Sequence, residues 1–241
     1  IALYPDALVA QVLAAATNPD QITAANNWLA QNRNFTGTSL SQAVDQQSWD
    51  ASVKSLTQFP SVLENLARNL SWTSSLGEAF TDQQADVMAA VQVMRAKAQA
   101  AGTLQSNSQI SVVQQNPSTI VIQPANPQVV YVPQYDPAVV YGMPLTVPLY
   151  VSAPMPVAAV GLYFGSGVSV GAVAVGGGWG GGFGWHAWNM NWGGGGTVIY
   201  NHTTYINNRG YRPGADTHFG PNGHYHPNGY YGPNGHFHHD V

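Results

Sequence analysis

Apolar residues recur at helical spacing through residues 1–102, and the period then shortens to that of strands. After Pro5 and Asp6, Leu8, Val12 and Ala16, with Val9 and Leu13, fall at i,i+4 spacing and predict a first helix. Asn18-Pro19-Asp20 predicts a second start, with a side-chain oxygen cap, Pro in the first turn and an acid at the positive end. Ile22, Ala25 and Leu29 form its stripe, Trp28 lies beside them, and residues 34–37 break it. A third helix is expected from about Ser48, with Trp49, Val53 and Leu56 inward, and Phe59-Pro60 interrupts it. Val62, Leu63, Leu66 and Leu70 resume the stripe. Thr81 and Gln84 predict a capping box before a helix carrying Val87, Met88, Val91 and Met94, which Gly102 stops.

From Gln109 onward, residues 110–113, 119–123, 129–132 and 139–141 are short β-branched runs separated by Pro and Asn. The unit Pro-x-Val-Val-Tyr occurs at residues 127–131 and again at 137–141. Pro removes backbone donors, so these runs are expected as edge strands or extended arms able to join a neighbour's sheet. Residues 157–176 are apolar and admit two readings. The spacing Gly161/Gly165 and Gly167/Gly171 suits a closely packed helix, buried in protein or spanning a membrane. Gly165-Ser166-Gly167 equally suits a turn between two strands.

The expected class is α+β. A helical domain (1–102) is followed by an extended Pro-rich β arm (103–156) and an apolar Gly/Trp-rich segment (157–196). A strand and a Pro-Asn-Gly hexapeptide-repeat tail (197–241) complete the chain. Each repeat, at Pro221, Pro227 and Pro233, predicts a tight turn with aromatic flanks.

Charge sharpens this picture. Only 7% of residues are charged, against about 25% in ordinary soluble domains. After Lys97 the ionic residues are Asp136, Arg209, Arg212, Asp216 and Asp240, and residues 137–208 carry none. A neutral, Gly- and aromatic-rich stretch lacks the charge that keeps copies apart. A net charge of −4 gives no electrostatic reason to expect nucleic acid. The chain has no Cys, which excludes disulfides, thiolate catalysis and Cys-held metal. It begins at Ile1, from which a removed leader is expected.

The phrases Tyr4-Pro5-Asp6-Ala7-Leu8-Val9-Ala10-Gln11-Val12-Leu13-Ala14-Ala15, Trp28-Leu29 and Ser52-Val53-Lys54-Ser55-Leu56 occur in order. Leu76-Gly77-Glu78-Ala79-Phe80, Gln83-Gln84-Ala85-Asp86-Val87-Met88 and Val130-Tyr131-Val132-Pro133-Gln134-Tyr135-Asp136-Pro137 follow. Over residues 3–142 this succession resembles a bacterial family known as domain of unknown function 3300, and the Gly/Trp-rich continuation is similar to it as well. The resemblance implies export to the bacterial envelope and supplies neither an activity nor catalytic residues. The hexapeptide tail lies outside it.

No catalytic constellation emerges. Gly165-Ser166-Gly167 lacks the spacing of a hydrolase elbow, and Asp82 with Asp86 reads as acids complementing a helix dipole. The chain is therefore expected not to be an enzyme, and to need no cofactor. His224, His226, His236, His238 and His239 are candidate ligands for a divalent metal, since neutral imidazoles suit Zn, Cu or Ni. Alternatively they fill aromatic slots of the repeat.

The leading expectation is an exported structural protein, extracellular or on the cell surface, that assembles with copies of itself into a fibre or layer. Val129, Val130, Tyr131, Tyr135, Val139, Val140 and Tyr141 would exchange strands. Trp179, Trp185, Trp188, Trp192, Tyr225, Tyr230, Tyr231 and Phe237 would pack between copies. The alternative is a periplasmic or outer-membrane binding module contacting membrane, polysaccharide or metal, with the Trp rings stacking on sugars.

Overall fold

A computed structural model describes residues 1–135, 140–141, 168–174, 182–205, 229–231 and 237–239. The chain divides into two compact units, Ile1–Tyr205 and Ile206–Val241. The divisions expected after residues 102, 156 and 196 therefore fall inside the first unit.

Seven helices precede the strands, so the chain is α+β. They are α1 (Asp6–Ala16), α2 (Pro19–Gln31), α3 (Gly37–Asp45), α4 (Ala51–Leu56), α5 (Pro60–Arg68), α6 (Leu70–Asp82) and α7 (Gln84–Ala100). Helix α1 is central: every residue from Leu8 to Ala16 is buried. One side, with Leu8, Val12 and Ala15, packs on Ile22, Leu56, Phe59 and Leu63. The other, with Val9, Leu13 and Ala14, packs on Phe80, Met88 and Val91. A third cluster gathers Leu3, Ala98, Leu104, Ile110 and Ile122. Helix α6 crosses α1 at Gly77, where any Cβ would overlap the Ala16 carbonyl. Only Gly admits that approach.

Several local expectations are corrected. The Thr81/Gln84 capping box does not form. Thr81 lies inside α6 and donates to Gly77 O, while Gln83 occupies the cap of α7. Asn18 caps α2 without a side-chain bond and donates to Thr17 Oγ1 instead. The break expected over 34–37 is followed by α3, where Ser39 Oγ accepts the Thr36 N–H at 3.1 Å. The stripe through Leu70 is split at Asn69, whose non-helical ψ of 45° ends α5 and begins α6.

Among the described residues, the first unit contains three small antiparallel sheets. Strands β1 (Ile110–Asn116) and β2 (Thr119–Pro124) form a hairpin. Strand β3 (Val129–Tyr135) pairs with β4 (Val168–Ala174), Val132 opposite Gly171. Strands β5 (Trp188–Asn191), β6 (Thr197–Tyr200) and β7 (Thr203–Thr204) form the third. Residues 140–141, expected as strand, are helical. Over 168–174 the strand reading of the apolar segment holds, and the helical alternative fails there. Residues 157–167 and 175–176 lie outside the described residues. No described helix is long and apolar enough to cross a membrane. In the second unit, β8 (Gly229–Tyr231) pairs with β9 (Phe237–His239).

Candidate functional site

Strand exchange between copies, as expected above, requires open backbone edges, so the edges of each sheet bear on that expectation. Much of both edges of the β1–β2 hairpin is already bonded within the chain. On β2, Gln92 from α7 pairs with Ile120 as a strand would: Ile120 N–H donates to Oε1 at 2.7 Å, and Nε2 donates to Ile120 O at 3.2 Å. Arg95 Nη1 also donates to Ile120 O at 2.7 Å, and the Ile122 N–H donates to Asp6 Oδ1 at 3.1 Å. On β1, Ser106 Oγ accepts the Val112 N–H and donates to Val112 O. Asn107 Oδ1 accepts the Ile110 N–H, and the Asn107 N–H donates to Ile110 O. Backbone groups satisfied in this way are not available to another chain.

The centre of that seal is a buried ion pair. Arg95 Nη1 lies 2.7 Å from Asp6 Oδ1, and the guanidinium is fully buried. Its remaining donors reach Ala2 O at 2.8 Å and Tyr4 O at 3.1 Å. Burial pulls Arg95 below its usual pKa range, and Asp6 opposes the shift. Desolvating a pair is costly unless every polar atom finds a partner, which these bonds provide. Trp192 closes the outside. Its indole Nε1 donates to Asp6 Oδ2 at 2.7 Å, and its ring lies 4.9 Å from the guanidinium carbon. These groups are occupied by partners within the chain.

Residues 182–205 fold back onto the helices. Trp185 joins the cluster on one side of α1, with its ring 5.8 Å from that of Phe59. Trp188, Met190 and Val198 join the other cluster. Trp188 Nε1 donates to Ser55 Oγ at 2.6 Å, and Ser55 in turn donates to Phe183 O. Tyr205 OH donates to Asp50 Oδ1, the carboxylate that caps α4.

The expected interface residues are thus redistributed. Trp185 and Trp188, expected between copies, belong to the chain's own core. Large rings on a Gly-rich segment are buried more completely by the helices nearby than by a flat surface. Val130 is buried beside α1's partners, and Val140 and Tyr141 pack with Leu3 and Ile110. The side chains of these three are used within the chain. Val129 and Tyr131 on β3 are half-buried. Tyr135 and Tyr141 share a hydroxyl contact of 3.0 Å, and burial raises the pKa of both phenols. Trp192 is half-buried over Arg95.

Val139, Trp179, Tyr225, His224, His226 and His236 lie outside the described residues. In the tail hairpin Tyr230 pairs with His238, Tyr231 with Phe237 and Gly229 with His239. Among the described residues, no three His, Asp or Glu form a group able to hold a metal ion.

The sequence pattern did not single out Arg95, Gln92, Ser55 or the Asp50–Tyr205 contact. For Arg95 a signal exists: it continues the buried stripe of α7 through Met88, Val91 and Ala98. A charge on an apolar face calls for a buried partner.

The family model described as "Protein of unknown function (DUF3300)" matches residues 1–219. The chain is similar to an uncharacterized protein, YacH, of Escherichia coli (strain K12), with 45% identity over 112 residues. That match covers 46% of this chain and only 18% of the relative, so the chain spans a small part of that protein's length. No solved structure matches the chain.

Proposed function

The chain belongs to the bacterial DUF3300 family of proteins of unknown function, and from that premise we propose that it is an exported, non-catalytic structural protein that associates with copies of itself at the cell surface. The observation that carries this reading is the contrast between buried ionic groups that are paired within the chain and a neutral back half. The buried ionic groups Asp6 and Arg95 are bound by backbone and by each other, and Asp50 caps a helix. The ordered strands after Tyr135 belong, up to Asn208, to a stretch without one ionic residue. Neutral surfaces give copies no electrostatic barrier to association, and salt has little to screen. Negative-stain imaging of the purified full chain tests this. Extended or layered particles that persist in high salt support it, and uniform particles of single-chain size reject it.

A second reading, a polysaccharide-binding envelope module, is favoured by one described feature. Trp28 stacks on Phe35 at 6.0 Å and meets Trp49 edge-on at 5.8 Å, all three half-buried on the helical face. Such rings can stack on sugars. Pull-down of the chain by insoluble envelope polysaccharide, lost on Trp28→Ala, would favour this reading over assembly.

A further inference from the structure

We propose that β4 is the self-pairing edge: Val168–Ala174 of one copy adds antiparallel to the same strand of a second copy, joining two β3–β4 ribbons into one four-stranded sheet. This inference rests on the self-association reading above and names the contact it uses.

Three observations converge on β4. First, most of the outward backbone groups of the β1–β2 hairpin are already bonded, by Asp6, Gln92 and Arg95 on one strand and by Ser106 and Asn107 on the other. Second, β4 pairs on one side with β3 along its whole length, from Val168 opposite Tyr135 to Ala174 opposite Val129. Among the described residues no strand lies on its other side. Third, Val-Ser-Val-Gly-Ala-Val-Ala contains none of the usual protections of an edge: no Lys, no other charge and no Pro.

The identity of the partner follows from charge. A strand that pairs antiparallel with its own copy brings its central residues beside their counterparts, so an ionic residue there meets a like charge. Residues 137–208 contain none. A different partner would impose no such restriction. Antiparallel self-pairing about Gly171 sets Ser169 opposite Val173 and Val170 opposite Ala172. Such a contact is two-fold and closes on itself, so it builds a dimeric unit, and further growth uses another surface.

Sedimentation velocity on the full chain tests this, with far-UV circular dichroism and Trp fluorescence confirming that each variant retains the folded first unit. Wild type is expected to dimerise or form larger species, and Ser169→Lys and Ala172→Lys are expected to weaken dimerisation at least tenfold. Val173→Glu should also weaken it, and an equal mixture of Ser169→Lys and Val173→Glu chains should recover it, because the two substitutions then face each other. Undiminished dimerisation of the folded Lys variants, or no recovery in the mixture, overturns the β4 contact while leaving self-association standing. A wild type that stays monomeric at high concentration overturns both.

Discussion

The indole N–H of Trp192 lies 2.7 Å from a carboxylate oxygen of Asp6, a residue in the first turn of the first helix. That bond ties the Gly/Trp-rich segment to the ion pair that closes the β1–β2 hairpin. Asp6→Ala leaves Arg95 buried without its carboxylate and is expected to cost about 3–5 kcal/mol. Trp192→Phe removes one bond to a charged group and is expected to cost about 1.5–3 kcal/mol. Urea denaturation measures both. The double variant should lose less than the sum, because the two act on one carboxylate.

Gly77→Ala raises helix propensity by about 1 kcal/mol, yet it should destabilise. The new Cβ overlaps the Ala16 carbonyl, a backbone atom that no rotamer change can move. Forcing α1 and α6 apart is expected to cost a net of about 1–3 kcal/mol. Gly196→Ala meets the Met88 side chain at a φ of +82° and should destabilise as well. Thermal unfolding followed by circular dichroism separates these outcomes from the gain that propensity alone predicts.

Trp188 fills the cluster beside Met88 and Val91 and satisfies Ser55. Trp188→Ala is expected to cost about 3–5 kcal/mol through lost burial and the cavity left behind. Trp fluorescence in urea measures this.

Alkaline pH should unfold the chain through its tyrosines. Burial raises the pKa of Tyr4, Tyr135 and Tyr141. The folded state therefore holds phenol protons that the unfolded chain releases near pH ~10. Stability is complete below that value and falls as pH rises from there toward the raised folded values. Tyr135→Phe removes one such phenol, so urea midpoints measured up to about pH 11 should fall less steeply for the variant.

Much of the helical half was legible because burial follows a 3.6-residue period there. The stripes through Leu8/Val12 and Met88/Val91 gave α1 and α7 close to their observed limits. Helix α6 was harder to read. Asn69 breaks the backbone without a Gly or Pro to mark it, and Trp72 on the new helix is half exposed. The three β-branched runs at 110, 119 and 129 were readable, but the one at 139 was not. Val140 and Tyr141 repeat the sequence of Val130 and Tyr131, yet they are helical, packed against Leu3 and Ile110. Tertiary packing outweighs local β preference at such positions.

The placement of the tryptophans was the least legible feature. A Gly/Trp-rich composition looks the same whether the rings serve a neighbour or the chain's own helices. What decides it is the surface that α1, α4 and α7 leave uncovered, which only the assembled helices define. Trp185 and Trp188 fill that surface. Ser55, a small polar residue on α4's buried side, gives the Trp188 indole its acceptor. On the proposed reading, association uses surfaces other than those two rings.

Hydrogen exchange at residue level, on the full chain at low and high concentration, tests the central claim most directly. Amides of β6, residues Thr197–Tyr200, should be protected equally at both concentrations, because the chain's own helices order them. Amides of β4 should gain protection only as copies associate. Unprotected β6 amides in the dilute chain, or β4 exchange that is the same in dilute and associated samples, would contradict the account.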